Sequence, residues 1–489
     1  MQDSFSIQTT FSSPEATADF ARNLAPCLVP GDTILLEGPI GAGKSHFARA
    51  LIQARLSAAD RLEDVPSPTF TLVQTYDDGL AQIWHADLYR LSNVADVDEL
   101  GLWDAFDTSI CLVEWPDRMG TFGPQDALTL SLAQTGNEGQ RIATFTSQNT
   151  AWQEKLRHAQ IDTFLLAAGW SDATRTPLAG DASARKYERL LRDRDSAVLM
   201  DAPPHSGETI AAFVKVASHL RDLGFSAPKI LYADQAQGLL LLEDLGDDLL
   251  ARITQANPDE EPTLYNAAID VLVELHRYPP PPDLVHKDAK EMAEMTALVF
   301  DFYAPSASAN GAQQILEQLE AALHAIRPFA PVLALRDFHA ENLLWLPDRS
   351  GTKRVGLLDF QDAFACHPAY DLISLTRDAR RDVSTALAEQ LAQRYIRKTG
   401  QDENAFLAAA AILAVQRNLR ILGIFARLAL RDGKPEYLNF IPRVWNYLTV
   451  DLAHPALDDL RKSIQSTLPE PTEKFLQELR LKCQTAQAQ

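Results

Sequence analysis

Hydrophobic and polar positions over the first 150 residues predict strands joined by helices. Ser13-Pro14-Glu15 is a helix start, with a capping side chain, a proline at the first position and an acid in the first turn, and Ala16, Phe20 and Leu24 follow at helical spacing. Thr33-Ile34-Leu35-Leu36-Glu37 predicts a strand, and after Gly38 to Ser45 the run His46 to Ile52 alternates as a helix. TLVQTY and AQIWHADLYR on either side of Asp77-Asp78-Gly79 predict a hairpin, and Ile110 to Pro116 a further strand. Ala127 to Thr146 reads as a closing hairpin turned at Gly136-Asn137-Glu138-Gly139. Ser147 to Thr150 is short and polar, which places a boundary near residue 150 without a long flexible linker.

The pattern then changes. Trp152 to Trp170 has helical spacing, Leu178 to Leu190 suits a hairpin around Gly180, and Ser196 to Asp201 is a strand. Glu208 to Leu223 reads as a helix, and Lys229 to Ala233 and Leu239 to Leu242 as strands, the second breaking into Glu243-Asp244-Leu245-Gly246. Leu264 to His276 is an amphipathic helix, on which His276 reads as a packed histidine rather than a catalyst. Pro279 to Pro282 is a stiff turn, and Ser306 to Gly311 a loop of small residues. Asn404 to Leu430 is a long helix; if it runs through Gly423, then Arg417, Arg420, Arg427 and Arg431 fall within roughly 80° of one another. Such a stripe is commonly a solvated, salt-bridging face. The sharper reading gives Arg417 and Arg420 an anionic substrate.

At 489 residues the chain exceeds one core, since cores stop growing at roughly 250 to 300 residues, and no internal repeat is visible. Hydrophobic residues make up 46% and charged residues 23%, as in soluble globular proteins; no apolar run approaches the roughly 20 residues of a membrane span, and no secretory signal precedes the first helix. The expectation is a cytoplasmic protein without a membrane partner. Cysteines at 27, 111, 366 and 483 lack metal-ligand spacing and fit reduced thiols. A net charge of -21 argues against a large nucleic-acid surface, because phosphate neutralisation by Lys and Arg dominates such binding.

Two stretches carry chemistry. The first, Gly38-Pro39-Ile40-Gly41-Ala42-Gly43-Lys44-Ser45, matches G-x4-GK[ST] completely, between a strand and a helix. Gly38, Gly41 and Gly43 let backbone N–H groups curl around phosphates, Lys44 reaches the terminal phosphates of ATP, and the Ser45 hydroxyl suits Mg2+. With SPTF (67–70), H-x-DLYR (85–90) and VEWP (113–116), residues 5 to 150 resemble the bacterial TsaE ATPases. That resemblance implies a slow ATPase supporting threonylcarbamoyladenosine formation beside the tRNA anticodon, with protein partners outside this chain and tRNA met only indirectly. It makes the loop of Ser67 and Thr69 a nucleotide-sensing switch and turns Asp87 and Glu114 toward the phosphates. Glu114, closing a strand, is assigned to the metal. Trp115 divides evenly between core and function, and Ser45-His46 stands where the family often has two threonines.

The second stretch runs from Leu335 to Asp371 and places Asp337 five residues before Asn342, with Asp359 after the strand Val355 to Leu358. An Asp on a tight loop can orient a hydroxyl and take its proton, while an Asn five residues on and an Asp at the next strand turn hold Mg2+. This resembles the loops of protein kinases, and more closely those of aminoglycoside phosphotransferase-like small-molecule kinases, with DFQDA for the DFG triplet and Asp371 as the buried brace. The resemblance implies that Ser183 and Arg185 donate to phosphate and that Glu243 and Leu245 form the adenine hinge. Met200 and Asp201 stand where these kinases carry a phosphate-binding lysine, so either Lys186 or Lys215 substitutes, or Mg2+ and the hairpin act with less help. GDASARKYERL, VLMDAPP and the region from Gln416 further resemble anomeric kinases of N-acetylmuramate and N-acetylglucosamine over about residues 158 to 460. An amino sugar is favoured over an aminoglycoside, because a polycation calls for a carboxylate cluster.

The expected fold is an α/β P-loop NTPase domain (1–150) followed by an α+β two-lobed protein-kinase-like domain, with a small lobe over 151–246 and a helical lobe over 247–489. The expected protein is bifunctional and uses ATP at two sites. The competing reading is a pseudokinase scaffold for the tRNA-modifying assembly, supported by the missing lysine.

Overall fold

The computed structural model describes residues 4–61, 63–92, 95–120, 122–178, 185–204 and 210–487. Packing divides the chain into Met1–Thr209 with Leu231–Leu242, and Ile210–Ile230 with Glu243–Gln489. The helix expected from Glu208 is seen from Ala211; Glu208 itself lies outside the described residues, as do Gly180 and Ser183.

The first unit opens with β1 (Phe5–Phe11), α1 (Pro14–Leu24), β2 (Thr33–Glu37), α2 (Lys44–Ala58), β3 (Val73–Asp77) and β4 (Gln82–Asp87). It continues through α3 (Ala95–Asp98), α4 (Leu102–Thr108), β5 (Ile110–Glu114), β6 (Leu128–Gln134) and β7 (Arg141–Ser147). Ser13 caps α1 by accepting from the Ala16 N–H at 3.1 Å, as Ser-Pro-Glu predicts. The seven strands lie in the order β1-β7-β6-β2-β5-β4-β3, with β2 parallel to β5 and β6, and β4 parallel to β5. Alternation along β2, β4 and β5 sends Ile34, Ile83, Ile110 and Leu112 into one core with Leu24, Phe47 and Leu51 of α1 and α2. Ala86, Cys111 and Val113 enter another with Leu102 and Phe106 of α4. Helices therefore cover both faces, as parallel strands require.

Residue 150 leads directly into α5 (Ala151–Ala167), and the two halves of that helix belong to different cores. Trp152, Leu156 and Ala159 join the core of α1 and α2. Ile161, Phe164 and Leu165 instead pack with Leu190, Ala197, Leu199, Leu239 and Leu241 of a second sheet. That sheet is formed by β8 (Thr174–Leu178), β9 (Lys186–Arg192), β10 (Asp195–Asp201), β11 (Ile230–Asp234) and β12 (Leu239–Glu243), in the order β11-β12-β10-β9-β8. Polar contacts reinforce both halves: Lys155 pairs with Asp32 and Asn23 donates to Thr163, while Arg157 Nε donates to Asp201 at 3.0 Å. Leu156→Ala and Phe164→Ala should each cost about 2–5 kcal/mol of stability in urea unfolding, one through each core. A loss below about 1 kcal/mol for Leu156→Ala would show that the first core stops short of α5.

The second unit holds α6 (Ala211–Asp222) and is otherwise mostly helical. Two short antiparallel pairs fix the ends of the Leu335–Asp371 stretch: β13 (Val332–Ala334) with β16 (Phe364–Cys366), and β14 (Leu343–Trp345) with β15 (Val355–Leu357). The helix Glu403–Leu430 runs unbroken through Gly423, where a Cβ would come within 2.5 Å of the Leu298 and Val299 backbone. Among the described residues it is the one helix long and apolar enough, by length and composition, to cross a membrane. Most of its apolar residues are buried in this unit, and Gln416, Arg417 and Asn418 among them are hydrogen-bonded, to Met292, Ser374 and Asp451. His276 ends its helix against the Tyr395 hydroxyl at 2.7 Å, and burial pushes its pKa down to about 3, which fits a packed neutral histidine.

Candidate active sites

In the first unit, β2, β4 and β5 end together beside the start of α2. Gly38, Gly41 and Gly43 take φ values of 133°, 76° and 111°, and a Cβ on Gly38 would approach the Leu132 carbonyl oxygen to 2.4 Å. Glycine is required there by backbone geometry. Lys44 opens α2 and donates to the carbonyls of Gly38 and Pro39 at 2.7 and 3.1 Å, with its ammonium 3.8 Å from the Trp115 ring centroid. Burial pulls the Lys44 pKa down, opposed by the charges of Glu114, Asp87 and Asp117. Ser45 donates its hydroxyl hydrogen to Glu114 Oε2 at 2.9 Å, which leaves the lone pairs of Ser45 Oγ available to a hard cation.

The parallel register sets Asp87 beside Glu114. Thr69 donates to Asp87 Oδ2 at 2.6 Å, Ser67 and Thr69 hydroxyls lie 2.9 Å apart, and the Tyr89 N–H donates to Asp87 Oδ1. The predicted switch loop is thus tied to Asp87. A nucleotide phosphate with Mg2+ fits this donor set: glycine N–H groups, an ammonium, a hydroxyl and carboxylates at strand ends.

In the second unit, Asp371 is buried and accepts the N–H groups of Leu335 at 2.6 Å and Arg336 at 2.9 Å, while Arg336 sits at a φ of 72°. Burial lifts the Asp371 pKa to about 7 despite these donors. The brace holds a tight loop on which Asn342 Nδ2 reaches the Asp337 carbonyl at 2.9 Å and Asp359 Oδ2 at 3.3 Å. Asp359, at a φ of 55°, also accepts from Gln361 at 2.6 Å. Burial would raise the Asp337 carboxyl, but the charges of Arg417, Arg336, His339 and Arg420 outweigh it and hold the group below the ordinary carboxylate range. Among the described residues no cluster of three or more His, Cys, Asp or Glu could cage a metal. One carboxylate beside one amide still suits Mg2+, which is held largely by water and substrate phosphates.

Residues 11–143 match the family described as threonylcarbamoyl adenosine biosynthesis protein TsaE, and residues 174–407 match the phosphotransferase enzyme family. The chain is 42% identical to an N-acetylmuramate/N-acetylglucosamine kinase of Caulobacter vibrioides, over 65% of this chain and 98% of that protein. It is also 33% identical to the tRNA threonylcarbamoyladenosine biosynthesis protein TsaE of Bacillus subtilis, over 30% of this chain and 93% of that protein. The chain belongs to both families. A Pseudomonas aeruginosa N-acetylmuramate/N-acetylglucosamine kinase is 32% identical over 63% of this chain and 93% of its own length. The C-terminal part is a kinase of the phosphotransferase fold, and the N-terminal part an ATPase-type TsaE domain. The scaffold reading of the C-terminal part is set aside accordingly.

Where a small-lobe lysine is expected, β10 carries Met200 and Asp201. Ala197, Leu199 and Asp201 face α5, so alternation turns buried Met200 to the opposite face of the sheet. Lys186 lies across from Asp201 and is exposed, and Lys215 pairs with Asp283 at 2.6 Å, so neither is seen as a replacement. Arg185 is half-buried at the start of β9; Ser183 precedes it outside the described residues. Glu243 spends its carboxylate on the Lys229 N–H, Arg221 and Arg349, and its own N–H on the Lys229 carbonyl. Leu245 follows two residues on, before Gly246 at a φ of 86°.

The arginine stripe divides. Arg417 is buried and donates to Ser374 at 2.8 Å, which overturns the solvated-face reading for it. Burial, with Arg336 adding to it, pulls the Arg420 pKa down, while Tyr370 and Asp337 resist. Arg431, by contrast, is exposed and paired with Asp432 at 2.6 Å. In the TsaE domain, Trp115 packs on Tyr89 at 5.0 Å between ring centroids and underlies the Lys44 ammonium. Sequence reasoning quoted His85 within H-x-DLYR but gave it no role, although period two along β4 sets it on the face of Asp87.

Proposed function

We propose that this is a bifunctional cytoplasmic protein. Its kinase phosphorylates the anomeric hydroxyl of N-acetylmuramate or N-acetylglucosamine in cell-wall recycling. Its TsaE domain hydrolyses ATP in support of tRNA threonylcarbamoyladenosine formation, with protein partners and only indirect contact to tRNA. The observation that carries the sugar reading is the 42% identity to an N-acetylmuramate/N-acetylglucosamine kinase over 98% of that protein, and the lowering of the Asp337 carboxyl by the charges of Arg417 and Arg420 is consistent with an anionic substrate nearby. Asp337 orients the hydroxyl and takes its proton. Asn342 and Asp359 hold Mg2+, which would neutralise phosphate charge when bound. The Glu243 carbonyl and the Leu245 N–H meet the adenine edge, and Arg185 with Ser183 meets the phosphates. In the TsaE domain Lys44 and Asp87 act at the phosphates, Ser45 and Glu114 serve Mg2+, and Ser67 and Thr69 couple nucleotide state to Asp87.

A screen of amino sugars and aminoglycosides for ATP-dependent phosphorylation by the full chain tests this reading. Turnover of an aminoglycoside and of neither acetylated sugar would reverse it. Within that screen, Arg420→Ala should raise KM for N-acetylmuramate by about 10-fold while changing N-acetylglucosamine much less, because only the former has a carboxylate to bind. Equal changes for the two sugars would remove Arg420 from substrate recognition.

A further inference from the structure

We infer that His85 is a positioning residue of the TsaE domain: it fixes the carboxylate of Glu114 so that the Ser45 hydroxyl is presented to Mg2+. The inference rests on the proposed nucleotide and metal roles of Ser45 and Glu114, and adds a residue to which no role has been given.

Along the paired strands β4 and β5, one face changes character toward the strand ends. Ile83 and Ile110 belong to the core, then come His85 beside Leu112, and finally Asp87 beside Glu114. His85 is thus the last residue before the two buried carboxylates at the strand ends, one step deeper along the same face. Its side chain is 1% exposed and that of Glu114 is 2% exposed, with His85 Nε2 3.0 Å from Glu114 Oε1. A carboxylate accepts, so Nε2 carries the hydrogen and donates it.

Glu114 therefore has a division of labour between its oxygens. Oε1 takes the imidazole N–H and Oε2 takes the Ser45 hydroxyl. A buried carboxylate held by one donor can rotate about its last torsion; two donors from different elements, β4 and α2, leave it one orientation. That orientation points the Ser45 hydrogen at Glu114 and its lone pairs away, as a metal-ligating hydroxyl needs. Without His85, Glu114 is free to turn toward Lys44, on whose ammonium its charge already acts. Ser45 would then lose its fixed acceptor. Among the described residues the buried Nδ1 of His85 has no hydrogen-bond partner, so the Nε2 contact is the polar link seen to hold the ring.

The test exploits the geometry of amide side chains. The terminal nitrogen of Gln reaches about as far as imidazole Nε2, whereas that of Asn stops near Nδ1. Both replacements carry the same polar group to the same buried place, so a purely structural role predicts equal effects. The full chain with Asp359→Asn, which lowers metal-dependent binding at the kinase site, is titrated with magnesium at fixed fluorescent ADP analogue. His85→Asn should raise the half-saturating magnesium concentration by about 10-fold or more, in line with the loss of a group that orients a metal ligand. His85→Gln should stay within about 3-fold of the parent, and nucleotide binding without magnesium should be unchanged in both. Magnesium titrations of His85→Asn that match the parent would overturn the inference, as would equal losses in the two variants. If the parent itself shows no magnesium dependence that Ser45→Ala removes, the underlying metal reading fails instead, a result distinguishable from either.

Discussion

Replacing Asp337 by Asn in the full chain is expected to lower sugar phosphorylation by roughly 100-fold or more while leaving ATP affinity nearly intact. The substitution keeps the shape and a hydrogen bond but removes the proton acceptor, and general-base contributions of roughly 100- to 10,000-fold are usual. Asn342 contacts the backbone carbonyl of Asp337, not its carboxylate, so the Asn342–Asp359 pair should survive. Asp359→Asn should differ in kind, weakening magnesium-dependent nucleotide binding along with turnover, since a charged ligand leaves the ion. The pH profile supplies a second check. Arginine charges hold the Asp337 carboxyl below the ordinary range, so it is ionised at neutral pH, and with Asp337 intact an acid limb near pH 7 should persist only as a report of the buried Asp371 brace, whose carboxyl is lifted to about 7. An unchanged rate in Asp337→Asn, measured with Lys44→Ala also present, would remove Asp337 from the chemistry.

Lys44→Ala is the second large effect. Withdrawing the ammonium from the phosphate cradle should reduce ATP hydrolysis by the TsaE domain, and support of tRNA modification, by about 100-fold or more. Sugar phosphorylation should persist. Lys44 packs on Trp115 and on the carbonyls of Gly38 and Pro39, so a thermal melt should accompany the assay. Equal loss of both activities in a folded variant would mean that the two sites are coupled. The shared helix α5, with Leu156 in one core and Phe164 in the other, is where such coupling would be sought.

Much of both sites was legible because their chemistry is written in short range. A phosphate cradle needs glycines at left-handed backbone positions, a lysine and a hydroxyl in immediate succession, and Gly38, Gly41, Gly43, Lys44 and Ser45 meet that need within one turn. The catalytic loop likewise needs Asp337 and Asn342 five residues apart, because one tight turn brings the Asn side chain back to the Asp backbone. Even the Asp371 brace follows from order along the chain.

Spacing, capping and backbone preference therefore determined the strands, the P-loop, the catalytic loop and the residue types at each. What the sequence left open were choices between faces. Whether Arg417 met solvent or a buried partner, Ser374, depended on which helix lay against it. Which face of β10 Met200 and Asp201 each took depended on which side of that strand was covered by α5. Whether residue 150 ended a core depended on both sheets packing on that one helix. His85 was readable as a strand residue but not as the partner of Glu114, because that hydrogen bond joins neighbouring strands 29 residues apart. Local conformation is set by each residue's own dihedral and hydrogen-bonding limits; partners across the fold are set by which buried surfaces meet, and only the tertiary structure decides that.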